Sequence, residues 1–210
     1  MLAMVEGLLL LPAQQVNDFP KIQNYKISFR APHNRVNQFL RETIKQSDST
    51  LVRYHNFAVL RREFVYTIFY SGFVNATKIR SREECIKAVK YLFDAIGHDA
   101  SSLDFRTDNI TSSGRYKQPI QVGRLKRYFT QLNGGGAEVS FKPQVFAGCT
   151  VKYRNGSINL FESGAYTIVG TRTWEAATDI HVKTMAHLQS LAAAAAAAAG
   201  RGIVRPFPLG

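Results

Sequence analysis

The sequence predicts an α+β protein built from one unit written twice, each copy an antiparallel set of strands with helices on one face. Three observations carry that expectation. The pattern Phe-x-Ser-Gly occurs at Phe69-Tyr70-Ser71-Gly72 and again at Phe161-Glu162-Ser163-Gly164. Both occurrences sit among short runs with the two-residue alternation of strands. Each group of runs is followed by a longer amphipathic segment with helical spacing.

Taken in order, residues 1–17 read as an N-terminal extension. Their opening "MLAMVEGLLLLPA" has no basic start, carries Glu6 and is too short to span a bilayer. Opening strands are expected at 20–24 and 105–109, ending in Ile22-Gln23-Asn24 and Thr107-Asp108-Asn109. A helical stripe follows each: Val36, Phe39, Leu40 and Ile44 in the first half, and Val122, Leu125, Phe129 and Leu132 in the second. Alternating runs at 51–60, 64–70 and 73–79 have counterparts at 144–152, 157–161 and 165–169. The first long helix is announced by Ser81 and Glu84 in capping-box spacing, should bury Ile86, Val89, Phe93 and Ile96, and stops at Gly97. Its counterpart starts near Thr173 and carries Trp174, Ala177, Ile180, Thr184 and Leu188.

Asn133-Gly134-Gly135-Gly136 reads as a loop, and the residues around it make no phosphate-binding fingerprint. Ala192 to Ala199 can lengthen the last helix, but Gly200 and the prolines beyond it predict a tail. The expected organisation is therefore an extension (1–17), a first repeat (18–98), a second repeat (99–191) and an alanine-rich segment with its tail (192–210).

Composition narrows the function. The chain has 210 residues, 45% hydrophobic and 11% aromatic, enough for a real core. Its net charge of +12 and pI near 9.9 favour a polyanionic partner, either nucleic acid or an acidic membrane surface. Cys85 and Cys149 are too few for a disulfide framework and lack metal-ligand spacing, so they read as small core residues in a reducing compartment. Three Asn-x-Ser/Thr matches, at Asn75, Asn109 and Asn155, read as chance in the absence of a secretory signal. His33, His55, His98, His181 and His187 are scattered without carboxylate partners at ligand-like spacing, and there is no catalytic triad or P-loop pattern. Catalysis, a cofactor and a small-molecule substrate are therefore not expected.

The alternation around the repeated turn is the most pointed local signal. If Ile158 and Leu160 face a core, Asn159 and Phe161 lie on the other face; Tyr66 and Ile68 likewise oppose Thr67 and Phe69. With helices on one face only, Phe69 and Phe161 belong to an open face and are placed to touch something else.

At this point the residues resemble the TATA-box-binding protein (TBP) family over about residues 18–191. The matching features are the strand-ending Asn24 and Asn109, Phe57-Ala58 and Phe146-Ala147-Gly148, and Phe69 and Phe161 in the two Phe-x-Ser-Gly strands. The resemblance implies a TBP-like saddle of two pseudo-symmetric repeats, a curved antiparallel sheet with helices on its convex face. It also implies a DNA-binding set of Asn24, Lys26, Phe57, Thr67, Phe69, Asn75, Thr77, Asn109, Thr111, Phe146, Asn159, Phe161, Thr167 and Val169.

Physical chemistry agrees with these roles. An apolar wedge in the minor groove partly unstacks a base step and kinks the duplex. Asparagine can donate to a groove floor where A·T pairs offer only acceptors. Arg61, Arg62, Lys152 and Arg154 would neutralise phosphates. Taken singly, a strand phenylalanine reads as core, a strand-end asparagine as ordinary, and Arg61-Arg62 as a solvated turn. Their recurrence in both halves is what points to a shared role.

The chain also departs from the family. Thr67 and Asn159 stand where Leu is typical, and Lys26, Thr111, Asn75 and Thr167 stand at Val-like positions. Thr77 keeps the family residue and Val169 does not. Phe73 and Ala165 replace lysines after the Ser-Gly turns, the hairpin between Phe57 and Phe69 is shorter, and Gln144 replaces an acidic residue where TFIIB-type factors dock. The expected function is a TBP-like transcription initiation factor that binds and bends AT-rich double-stranded promoter DNA through the minor groove. The resemblance implies RNA polymerase and TFIIB-like initiation factors as partners, no membrane, and a nuclear location or a viral transcription compartment. The alternative is a scaffold of the same fold, within a transcription complex, that has lost direct DNA binding.

Overall fold

The computed structural model describes residues 19–46, 48–99, 104–131 and 137–200. Among them the elements run β1 (Lys21–Arg30), α1 (His33–Lys45), β2 (Leu51–Arg53), β3 (Phe57–Arg61), β4 (Val65–Phe69), β5 (Phe73–Ile79) and α2 (Arg82–Ala95). The same order of strand, helix, strands and helix then recurs as β6 (Arg106–Arg115), α3 (Val122–Gln131), β7 (Glu138–Ser140), β8 (Cys149–Tyr153), β9 (Gly156–Leu160), β10 (Ala165–Thr171) and α4 (Trp174–Gly200). Strand order is β2-β3-β4-β5-β1-β6-β10-β9-β8-β7. Two compact units emerge. The N-terminal unit is Lys21–Ser113 with Ile168–Ala177; the C-terminal unit is Gly114–Thr167 with the rest of α4.

In the N-terminal unit, β3 and β4 alternate strictly, and β5 does so as far as Thr77, after which the left-handed Lys78 adds one exposed residue before Ile79. Ala58, Leu60, Tyr66, Ile68, Val74, Ala76 and Ile79 are buried, while the residues between them are partly exposed. The buried set packs with Cys85, Ala88, Val89, Leu92 and Phe93 of α2 and with Val36 and Leu40 of α1, forming one apolar core. The Tyr66 hydroxyl donates to the Ala88 carbonyl at 2.8 Å, pinning strand to helix. Helix α2 begins with a capping exchange: Glu84 N donates to Ser81 Oγ at 3.2 Å, and Arg80 N to Glu84 Oε2 at 2.7 Å. In the C-terminal unit, Cys149, Val151, Ile158, Leu160 and Tyr166 are buried, as are Val122, Leu125, Ile180, Thr184 and Leu188 from its helices.

Both Phe-x-Ser-Gly turns are built alike. Gly72 and Gly164 have φ of +84° and +83°, where only glycine is unstrained. A Cβ at Gly72 would lie 2.3 Å from the Ala31 carbonyl oxygen, and one at Gly164 2.5 Å from that of Tyr116. Those carbonyls are close because Ala31 N donates to Gly72 O at 2.9 Å and Tyr116 N to Gly164 O at 2.8 Å. Each turn is thereby tied to the end of its repeat's opening strand.

Several expectations need correction. The run 51–60 is two strands, because Tyr54 N bonds Phe57 O and the chain reverses so that Leu51 pairs with Leu60. The run 144–152 starts late: the Lys142 carbonyl accepts from both Val145 N and Phe146 N, a turn that holds Phe146 outside any strand. Ile86 is 40% exposed, since the core side of α2 runs through Cys85, Ala88, Val89 and Leu92, whose small members admit close approach to the sheet. The opening strands extend to Arg30 and Arg115. As expected, the alanine run lengthens the last helix, α4, where helix propensity is highest. Leu132, the glycine loop, the N-terminal extension and residues 201–210 lie outside the described residues.

Candidate nucleic-acid interface

The partly exposed face of the N-terminal unit holds most of the residues singled out from sequence. Phe57 and Phe69 are cross-strand partners with ring centroids 5.7 Å apart. Phe73 joins them 5.9 Å from Phe69, and Tyr54, 49% exposed, stacks on Phe57 at 4.6 Å. The result is a four-ring cluster at the end of β3, β4 and β5. Tyr54 and Phe73 were not singled out from sequence as interface residues. The signal for Phe73 is its place two residues before Asn75 on the same strand face, whereas Tyr54 reaches the cluster only through the unforeseen hairpin turn.

Beyond the cluster, the face turns polar. Val59 pairs with Thr67, Thr67 with Asn75 and Asn75 with Ser28; Val65 pairs with both Arg61 and Thr77. Lys26 pairs with Asn109 and Asn24 with Thr111. Val169, on β10, is half-buried.

Asn24 and Asn109 are used alike. The Asn24 Oδ1 accepts from Lys78 N at 2.8 Å and Ile79 N at 3.2 Å, and Lys78 has φ +66°. The Asn109 Oδ1 accepts from Gly170 N at 2.6 Å, and Gly170 has φ +80°. Each side-chain carbonyl thus secures a left-handed residue on a neighbouring strand, leaving the amide NH₂ to donate elsewhere. For Asn109 it donates to Thr111 Oγ1 at 3.2 Å.

In the C-terminal unit, Phe146 and Phe161 meet edge to face at 5.5 Å, with Phe146 41% exposed. A Cβ on Gly148 would strike both rings, Phe146 at 2.7 Å and Phe161 at 3.0 Å, so the glycine of Phe146-Ala147-Gly148 makes room for the pair. Thr150 is the cross-strand partner of Asn159, and its hydroxyl donates to Asn159 Oδ1 at 2.8 Å. Thr150 was not anticipated, because only strand register reveals it. Thr167 is half-buried on β10.

The basic residues differ in how free they are. Arg61 is exposed on the same strand face as Phe57 and Val59. Arg62 is ion-paired with Asp48, whose carboxyl is held below its usual range by hydrogen bonds from Thr50 and by the Arg62 charge. Lys152 lies 3.5 Å from Glu138, its cross-strand partner, and is itself 55% exposed. No group of three metal-ligating side chains occurs among the described residues, and no described helix is long and apolar enough to cross a membrane.

No protein-family model matches the chain, and no curated protein matches it in sequence. Among solved structures, TBP from Methanococcus jannaschii superposes with a TM-score of 0.63 at 20% identity. The match covers 81% of this chain and 98% of that one. The chain therefore has the α+β fold of TBP.

Proposed function

We propose that this protein is a TBP-like transcription initiation factor that binds promoter DNA through the minor groove and bends it. One observation carries the reading: each unit presents a packed, partly exposed phenylalanine pair outside its buried core, Phe57–Phe69 on β3 and β4 and Phe146–Phe161 just before β8 and just after β9. An apolar pair held by its neighbours is a stiff wedge, able to part a base step without first losing its own conformational freedom. Asn24 and Asn109, with their carbonyl oxygens engaged by backbone amides, offer N–H donors, matching the acceptor-only edge of A·T pairs. Arg61 and the overall charge of +12 supply attraction for phosphates, and RNA polymerase and TFIIB-like factors are the partners such a complex would recruit, in a nucleus or a viral transcription compartment. Residues 18–98 and 99–191 are proposed as the two repeats that divide the site.

A second reading, a scaffold without DNA binding, draws on the ion pairs that already engage Arg62 and Lys152. A gel-shift titration of the pure protein on an AT-rich duplex separates the two. The DNA-binding reading expects a shifted complex whose log K falls linearly with log salt, weakened by Phe69→Ala with Phe161→Ala. No shift at low salt, with the protein folded, would leave the scaffold reading standing.

A further inference from the structure

Resting on the DNA-binding reading above, we infer that Asn75 is a base-reading residue that admits a G·C pair into the contacted groove. Asn75 lies mid-strand on β5, half-buried, on the face that carries Phe73. Its cross-strand partners are Thr67 on β4 and Ser28 on β1. Three other asparagines proposed for this interface have their side-chain carbonyl engaged: Asn24 by Lys78 N and Ile79 N, Asn109 by Gly170 N, and Asn159 by the Thr150 hydroxyl. Among the described residues, neither the Asn75 amide nor the Thr67 hydroxyl beside it makes a side-chain hydrogen bond.

That difference sets what each asparagine can recognise. A committed carbonyl leaves mainly N–H donors, which suit the N3 and O2 acceptors of A·T but meet the guanine amino group donor to donor. Asn75 keeps one acceptor and two donors, the combination that a G·C edge requires: acceptors on guanine N3 and cytosine O2, and a donor on guanine N2. An apolar side chain there would desolvate the guanine amino group and leave it unpaired. Asn75 has its free amide in one unit, whereas the corresponding strand of the other carries Thr167, whose hydroxyl sits one bond closer to the backbone and reaches less far into a groove, so the site tolerates G·C at one end. A molecule of two similar repeats gains a preferred direction on DNA from that asymmetry.

The test is competition binding with duplexes that carry one G·C substitution at a time along the bound site, repeated with inosine, which is guanine without its 2-amino group. The expected wild-type result is one position where G·C costs less than about twofold, against about tenfold elsewhere. At the other positions inosine should recover the lost affinity, and at the tolerant one it should bring no gain. Asn75→Val should restore about a tenfold penalty at the tolerant position alone, and Asn159→Val should leave that position unchanged. A uniform penalty along the wild-type site, or a tolerant position unaffected by Asn75→Val, overturns the inference while leaving DNA binding intact. Failure to bind any duplex would instead overturn the DNA-binding reading beneath it.

Discussion

At the residue scale, the repeated glycines are the clearest case of sequence dictating geometry. Gly72→Ala would force a side chain into left-handed backbone and against the Ala31 carbonyl. The expected cost is about 1–3 kcal/mol, read as a lower urea midpoint; an unchanged midpoint would show that the turn relaxes freely. The two thiols give a pH prediction. Burial pushes Cys85 and Cys149 up to about 11 in the folded protein, above the value of about 8.5 for a free thiol. Their protonated forms therefore contribute stability below about pH 8.5, and it is lost as pH rises towards 11. Thermal melts between these pH values should fall accordingly, and native protein should resist alkylation at pH 8. The sequence showed which glycines and asparagines recur. It did not show that Asn24 and Asn109 hold the amides of Lys78, Ile79 and Gly170, because those contacts cross between strands far apart in the chain.

At the element scale, local signals were readable and register was not. The capping exchange at Ser81 and Glu84 was plain in the spelling, and Ser81→Ala should cost about 1 kcal/mol by chemical denaturation. No loss would mean that tertiary packing alone holds the first turn of α2. Alternation marks the strand runs, but it continues across the reversal at Tyr54 and so reads 51–60 as a single run. Hydrophobicity places Ile86 in the core with Val89, Phe93 and Ile96; those three are buried, while Cys85, Ala88 and Leu92 complete the buried face and leave Ile86 outside it. The Thr150–Asn159 bond needed the β8–β9 register, which no single-strand pattern contains.

At the scale of the whole molecule, the fold was legible because the same element order is written twice, and the charge of +12 pointed to a polyanion before any site was considered. Which charges act is a matter of tertiary pairing. The exposed Lys152–Glu138 pair is a weak one, so Lys152 can exchange its partner for a phosphate. Lys152→Ala should then weaken binding on all sequences and flatten the slope of log K against log salt by about one; a loss confined to one sequence would make it a base reader. The proposed role of the phenylalanine pairs, as wedges, requires that the protein bend DNA. Fluorescence transfer between dyes at the two ends of an AT-rich duplex measures this directly. Wild-type protein should bring the ends closer, and Phe69→Ala with Phe161→Ala should abolish most of the change while circular dichroism stays native. Bending that is undiminished in the doubly substituted protein would contradict it.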